Sequence, residues 1–314
     1  MLATLLLVTP LLQAGAPPML GPNGGAIKIV DVSEVGGAAQ ILTAERLPFP
    51  ANREQFHVYT VDAQGTLLLQ STLPDQTVVR DVHAIDGNRV ICRDGQFSPR
   101  VLEKVGSTWV AGGRLHANPV HGSWIGPRRQ VDVGGTKVAH FFPGASEITV
   151  EDLSVFGAPV AELTIPVSAT AGFFDLAIEQ DLLGVPWGAY DCNTTIYSNV
   201  TVRVFANTPG TGWAELPNLL PPPGVDWSDK NLSVDVDSSR IAVANGACGA
   251  AFLYERSSAG AFAYAGSAVS TRDHGIGPGV CAWNGRVILR GDELVLDTGV
   301  DQAGERFTRT PSGW

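Results

Sequence analysis

The stretch Val82-His83-Ala84-Ile85-Asp86-Gly87-Asn88-Arg89-Val90-Ile91 places apolar-rich runs on both sides of an Asp-Gly-Asn turn, and it returns further along the chain. Val131-Asp132-Val133-Gly134-Gly135-Thr136-Lys137-Val138-Ala139 and Val234-Asp235-Val236-Asp237-Ser238-Ser239-Arg240-Ile241-Ala242 repeat the phrase. Residues that accept positive φ between two strand-like runs mark a tight hairpin. Taking Val90, Val138, Leu183, Ile241 and Val287 as equivalent spaces the copies by about 45 to 58 residues, a period that means a stack or ring of like units.

Within a unit, turn chemistry separates four short strands. In the second unit these are Asp81-Val82-His83-Ala84-Ile85, Arg89-Val90-Ile91-Cys92, Arg100-Val101-Leu102-Glu103-Lys104 and Trp109-Val110-Ala111. An aromatic opens the fourth strand in three units, as Trp109, Trp213 and Phe262, and rings recurring in phase predict packing between neighbouring sheets. In the last unit the four runs are Val280-Cys281-Ala282-Trp283, Arg286-Val287-Ile288-Leu289, Glu293-Leu294-Val295-Leu296 and Arg306-Phe307-Thr308.

The pattern predicts an all-β chain, a β-propeller of four-stranded antiparallel blades. Six blades are expected, near residues 26–73, 78–115, 124–166, 172–221, 230–269 and 274–310, with seven as the alternative count. Residues 19–314 then form a single domain.

Asn231-Leu232-Ser233-Val234-Asp235-Val236-Asp237, then Arg240-Ile241-Ala242-Val243-Ala244, then Ala251-Phe252-Leu253-Tyr254-Glu255-Arg256 resembles one FG-GAP-type repeat, the unit of integrin α-subunit propellers and of many secreted bacterial proteins. The resemblance covers about half the chain and implies binding of a ligand or partner more often than catalysis. Many family members carry an Asp-x-Asp-x-Asp-Gly calcium loop between strands. This chain has none, so the family's calcium site does not carry over.

With 21 Lys and Arg against 31 Asp and Glu, the 314 residues carry a net charge of −10 and a pI near 5.0. That balance disfavours nucleic acid, whose capture needs clustered cations, and docking on anionic membranes. Residues 2–12 are apolar and lead into Ala14-Gly15-Ala16, the shape of a signal peptide over residues 1–18 that is too short to span a bilayer. Export follows: a secreted, periplasmic or cell-surface protein without membrane insertion, expected to be a monomer and to need no cofactor. Cys192 and Cys248 fall in matching loops of consecutive units, so a disulfide between them is expected; Cys92 and Cys281 lie on strands and read as buried thiols. No cysteine pair has metal-type spacing, and no metal is expected.

If strands run from the centre outward, the hairpin turns between first and second strands share one face, and the inter-blade links share the other. The links are chemically richer, and function usually lives on loops held by a rigid scaffold. From them come the candidate ligand-binding residues Trp124, Arg128, Arg129, Trp187, Tyr190, Asp191, Trp227, Asp229, Arg272, Asp273 and His274. The rings could stack on a sugar or peptide while Asp and Arg satisfy its polar groups. His116 and His121, five apart in one loop, are a weak metal signal. Asp132 and Asp235 share a repeat position on the innermost strand, where they either bind a cation or accept backbone hydrogen bonds from the next blade; the second use is the commoner for buried acids.

No nucleophile elbow, phosphate loop or zinc-protease helix is present. The leading expectation is therefore an exported, non-catalytic propeller that binds a partner protein or glycan through its link-bearing face. The alternatives are a secreted hydrolase or lyase acting on polysaccharide or ester, and a structural module of a surface assembly.

Overall fold

The computed structural model describes residues 20–36, 38–47, 53–62, 66–74, 79, 81–94, 98–116, 131–141, 147–167, 171–173, 175–191, 196–227, 232–245, 249–258, 260–270, 286–297 and 304–310. Every sheet is built from consecutive antiparallel strands, as hairpin-connected sequence dictates. The first blade contains β1 (Ile27–Val35), β2 (Ala38–Arg46), β3 (Glu54–Val61) and β4 (Leu67–Thr72). The second contains β5 (Asp81–Asp86), β6 (Arg89–Arg93), β7 (Pro99–Val105) and β8 (Thr108–Arg114). The third contains β9 (Val131–Gly134), β10 (Lys137–His140), β11 (Glu147–Asp152) and β12 (Val160–Pro166).

In the fourth blade, β13 (Ala171–Phe173) and β14 (Ala177–Glu179) both pair with β15 (Leu182–Asp191), followed by β16 (Ile196–Thr208) and β17 (Gly212–Leu219). The innermost strand is thus divided in two along an unusually long hairpin. The fifth blade is β18 (Leu232–Asp237), β19 (Arg240–Asn245), β20 (Ala250–Arg256) and β21 (Phe262–Val269). The sixth shows β22 (Arg286–Arg290), β23 (Glu293–Asp297) and β24 (Gly304–Thr308). The protein is a six-bladed β-propeller, and among the described residues there is no helix.

Alternation along each strand turns one apolar face toward each neighbouring blade, so the core is a set of seams. One cluster joins Leu42, Val58 and Leu73 of the first blade to Ile85, Val90 and Leu102 of the second. Others join the second to the third, the third to the fourth, the fourth to the fifth and the fifth to the sixth.

The phased aromatics lie in these seams. Trp109 is 5% exposed, and its Nε1–H donates to Ser71 Oγ of the preceding blade at 2.8 Å. Trp213 packs against the third-to-fourth seam and donates to Glu162 Oε2 at 2.9 Å, while Phe262 packs on the fourth-to-fifth.

The register of the last unit differs by one strand from the expectation. β22 is innermost: Leu289 N–H donates to Asp235 of the fifth blade, as Ile85 and Ile178 N–H donate across their own junctions. Gly291 (φ 56°) then makes the turn that Gly87 (φ 57°) makes in the second blade. Three similar strand-like runs in a row do not reveal which is first; the hydrogen bonds across the junction do. Residues 280–283, expected to be innermost, lie outside the described residues.

Candidate functional site

The innermost strands of all six blades converge on one cavity of about 460 Å³, at the end of the central channel where the first-to-second-strand turns lie. Its wall includes six carboxylates, Asp31, Asp86, Asp132, Glu179, Asp235 and Asp237, and two guanidinium groups, Arg240 and Arg290. Among the described residues no aromatic ring lines it.

The pairing registers explain how these side chains come together. Opposite the second-strand anchors Val90, Val138, Leu183, Ile241 and Leu294 stand Ile85, Val133, Ile178, Val236 and Leu289. The next residue lines the channel mouth in four blades, as Asp86, Glu179, Asp237 and Arg290, and is Gly134 in the third. At Gly134 a Cβ would fall 2.5 Å from Ile178 O and 2.7 Å from Glu179 Cα, so the absent side chain is what lets β14 approach. One residue before the inner partner of the anchor stand, alternately, an acid and an apolar residue: Asp132, Ala177, Asp235 and Ile288 in the third to sixth blades.

Asp31, Asp132 and Asp235 recur at intervals of roughly one hundred residues, one per pair of blades. Each accepts an inner-strand N–H from the following blade: Ile85 at 2.9 Å, Ile178 at 2.8 Å and Leu289 at 2.7 Å. The intervening junctions use other acids. Asp86 accepts Gly135 N–H at 2.7 Å, and Asp175 accepts Ser233 Oγ–H at 2.8 Å and Val234 N–H at 3.0 Å. A hydrogen bond to a carboxylate contributes about 1.5–3 kcal/mol, so these acids clasp the blades, and all but the buried Asp175 also line the channel.

Both guanidinium groups are held by carboxylates, Arg290 by Asp235 and Arg240 by Asp237, each at 2.8 Å. Behind the mouth, Arg89 donates to Gly135 O at 3.1 Å and Leu153 O at 3.0 Å. The Glu179 carboxylate has no hydrogen bond or ion pair among the described residues.

Burial raises the Glu179 carboxyl above its ordinary value, Arg290 lowers it, and Asp86, Asp235 and Asp237 raise it further, with a net upward shift. Burial likewise raises Asp86, against the Gly135 hydrogen bond and the Arg89 charge. The mouth is a partly dehydrated site with an excess of negative charge.

Two of the expected ligand aromatics, Trp187 and Trp227, lie in seams between blades. Trp227 is 1% exposed, edge-on to Tyr254 at 6.2 Å in the fourth-to-fifth seam, with no face left for a ligand. Trp187 packs in the third-to-fourth seam under the Arg203 guanidinium, 5.0 Å from its centroid, and Arg203 is itself held by Glu215 at 2.8 and 2.9 Å. Tyr190 and Asp191 belong to β15, their side chains outside the described set. Trp124, Arg128, Arg129, Asp229, Arg272, Asp273, His274, Cys192, Cys248 and Cys281 lie outside the described residues. Cys92 is a buried free thiol, and burial pushes it up to about 12. Among the described residues no three His, Cys, Asp or Glu side chains group as a metal centre.

Asp31, Asp86, Glu179 and Arg290 were not among the sequence candidates. For Asp86, Glu179 and Arg290 the signal that could have found them is positional, since each is the residue before its blade's first turn; Asp31 instead shares the repeat position of Asp132 and Asp235.

No family model and no curated protein matches the chain. Among solved structures, it is similar to the periplasmic gluconolactonase PpgL of Pseudomonas aeruginosa, at 15% identity over 91% of this chain and 82% of that one, with a TM-score of 0.54. It is less similar to BamB of Moraxella catarrhalis (13% identity, 94% of each chain, TM-score 0.47). The α-L-arabinanase of Penicillium chrysogenum matches at 12% identity over 94% of this chain and 95% of that one, with a TM-score of 0.46. The likeness to PpgL supports the propeller fold, and the fold alone. The finer FG-GAP resemblance has no matching family model behind it.

Proposed function

We propose that this protein is an exported ligand-binding propeller that receives a positively charged group, an amine or a basic side chain of a partner protein, at the hairpin-side mouth of its central channel. The observation that carries the proposal is Glu179, a carboxylate without a hydrogen bond or ion pair among the described residues, in a cavity where six acids face two arginines. Partial burial lowers the local dielectric and so strengthens attraction for a cation. Sugar recognition is the weaker fit at this mouth, because among the described residues no ring lines it to stack on a pyranose face. Export rests on the apolar leader of residues 2–12.

The test is calorimetric titration with spermidine and with a short lysine-rich peptide, at low and high salt. Binding is expected, weakened by salt through screening and by Glu179→Gln at least about fivefold, the size of an ordinary charge-assisted contact. Binding of neither cation, or equal binding by Glu179→Gln, would contradict the proposal.

A further inference from the structure

Away from the channel, the third blade breaks the repeat at one buried position. With Ile41 as the first-blade anchor, the residues opposite the second-strand anchors on the third strands are Tyr59, Leu102, Phe205, Tyr254 and Phe307 in the other blades. In the third blade the residue opposite Val138 is Glu151, fully buried. A seam position that is apolar or aromatic five times and acidic once is not explained by packing, since a buried carboxylate costs several kcal/mol unless it is well satisfied.

Glu151 is satisfied by two histidines. Its Oε1 lies 2.6 Å from His140 Nε2 and accepts the His116 backbone N–H at 2.8 Å; its Oε2 lies 2.6 Å from His116 Nδ1. His140 is 2% exposed, whereas the His116 side chain is 61% exposed. A carboxylate at Nδ1 requires the proton there, which leaves the neutral ring's lone pair on Nε2. The backbone bond and the Nδ1 bond fix the ring's orientation, and His140 fixes the carboxylate from behind. Burial opposes ionisation of Glu151, but His140 and His116, the titratable groups facing it, outweigh burial and hold it below the usual carboxylate range.

We infer that His116, held by Glu151, is a general base for hydrolysis of simple esters or lactones, with water as the nucleophile. His116 Nε2 takes a proton from water as the water oxygen bonds to the acyl carbon and the carbonyl π pair moves onto its oxygen. When the tetrahedral species collapses, the bond to the alcohol oxygen breaks and the imidazolium returns its proton to that oxygen, giving acid and alcohol. Esters and lactones are the class such a dyad reaches unaided. Their alkoxide leaving group needs one proton, whereas amides and glycosides demand a stronger acid beside the base. Glu151 acts as a positioning residue, fixing the tautomer as the buried acid of a catalytic triad does.

The experiment uses the full chain with p-nitrophenyl acetate and γ-butyrolactone, following kcat/KM from pH 5 to 9 beside an equal concentration of free imidazole. The expected result is catalysis above that reference that rises with pH to a plateau and falls at least about 100-fold in His116→Asn. Glu151→Gln, checked for folding by circular dichroism, should lower kcat and displace the pH limb, a shift that loss of a merely structural contact would not produce. If Glu151→Gln fails to fold, the exposed His116 variant still decides. Rates no higher than free imidazole on both substrates, or His116→Asn equal to the native chain, would overturn the inference. Neither outcome bears on cation binding in the channel, which Glu179 reports independently.

Discussion

Asp132 in the third blade accepts the backbone N–H of Ile178 in the fourth at 2.8 Å, so a side chain on one innermost strand fixes the height of the next. Asp31 and Asp235 do the same one blade pair away on either side. Asp132→Ala should therefore cost about 1.5–3 kcal/mol, the worth of a bond to a charged acceptor, with little packing penalty because Ala177 holds the equivalent place in the fourth blade. Urea unfolding checks this; a loss under about 0.5 kcal/mol, the scale of an ordinary surface substitution, would show that the clasp carries no load.

Trp109→Ala should destabilise by about 3–5 kcal/mol, the usual result of emptying a large buried ring. Trp109→Phe separates the two contributions, since it keeps most of the seam contact and deletes the bond to Ser71. It should cost less than half of the alanine effect. The same denaturation series measures both.

Burial, reinforced by the Arg93 charge and partly offset by Asp81, lowers His83 to about 4. The unfolded imidazole titrates near 6.5, at about the ordinary value. Between these values the unfolded chain binds the extra proton, so the stability held by neutral His83 is complete above about 6.5 and is lost as pH falls toward 4. The urea midpoint should drop over that window in the native chain and drop less in His83→Gln. Parallel profiles would contradict this account.

Gln180 makes its turn at φ 49°, where the second, third and sixth blades use Gly87, Gly135 and Gly291. A side chain in the left-handed region is strained by about 1 kcal/mol or more, so Gln180→Gly should leave stability unchanged or raise it by up to about 1 kcal/mol. A clear loss in thermal unfolding would mean that the Gln180 side chain makes a compensating contact.

Much of the architecture was legible because a propeller repeats its local chemistry. The Asp-Gly-Asn hairpin, the four-strand parse and the phased aromatics Trp109, Trp213 and Phe262 each depend on neighbours a few residues away. The register of the last blade was not, because Arg286 to Leu289 reads equally well as a first or a second strand and only its bond to Asp235 decides. Trp187 and Trp227 stood beside polar residues in sequence and looked like ligand aromatics, yet each enters a seam whose other wall comes from a distant part of the chain. Glu179 and Arg290 carry no motif; they become a site only when six strands bring them to one axis.

Cation binding by Glu179 is tested most directly by crystallography. A crystal structure of the full chain soaked with spermidine should show the amine at the channel mouth, with an ammonium nitrogen within hydrogen-bonding distance of Glu179 and none in the Glu179→Gln crystal. Density for the amine elsewhere with the mouth empty, or the same occupancy in both crystals, would contradict it.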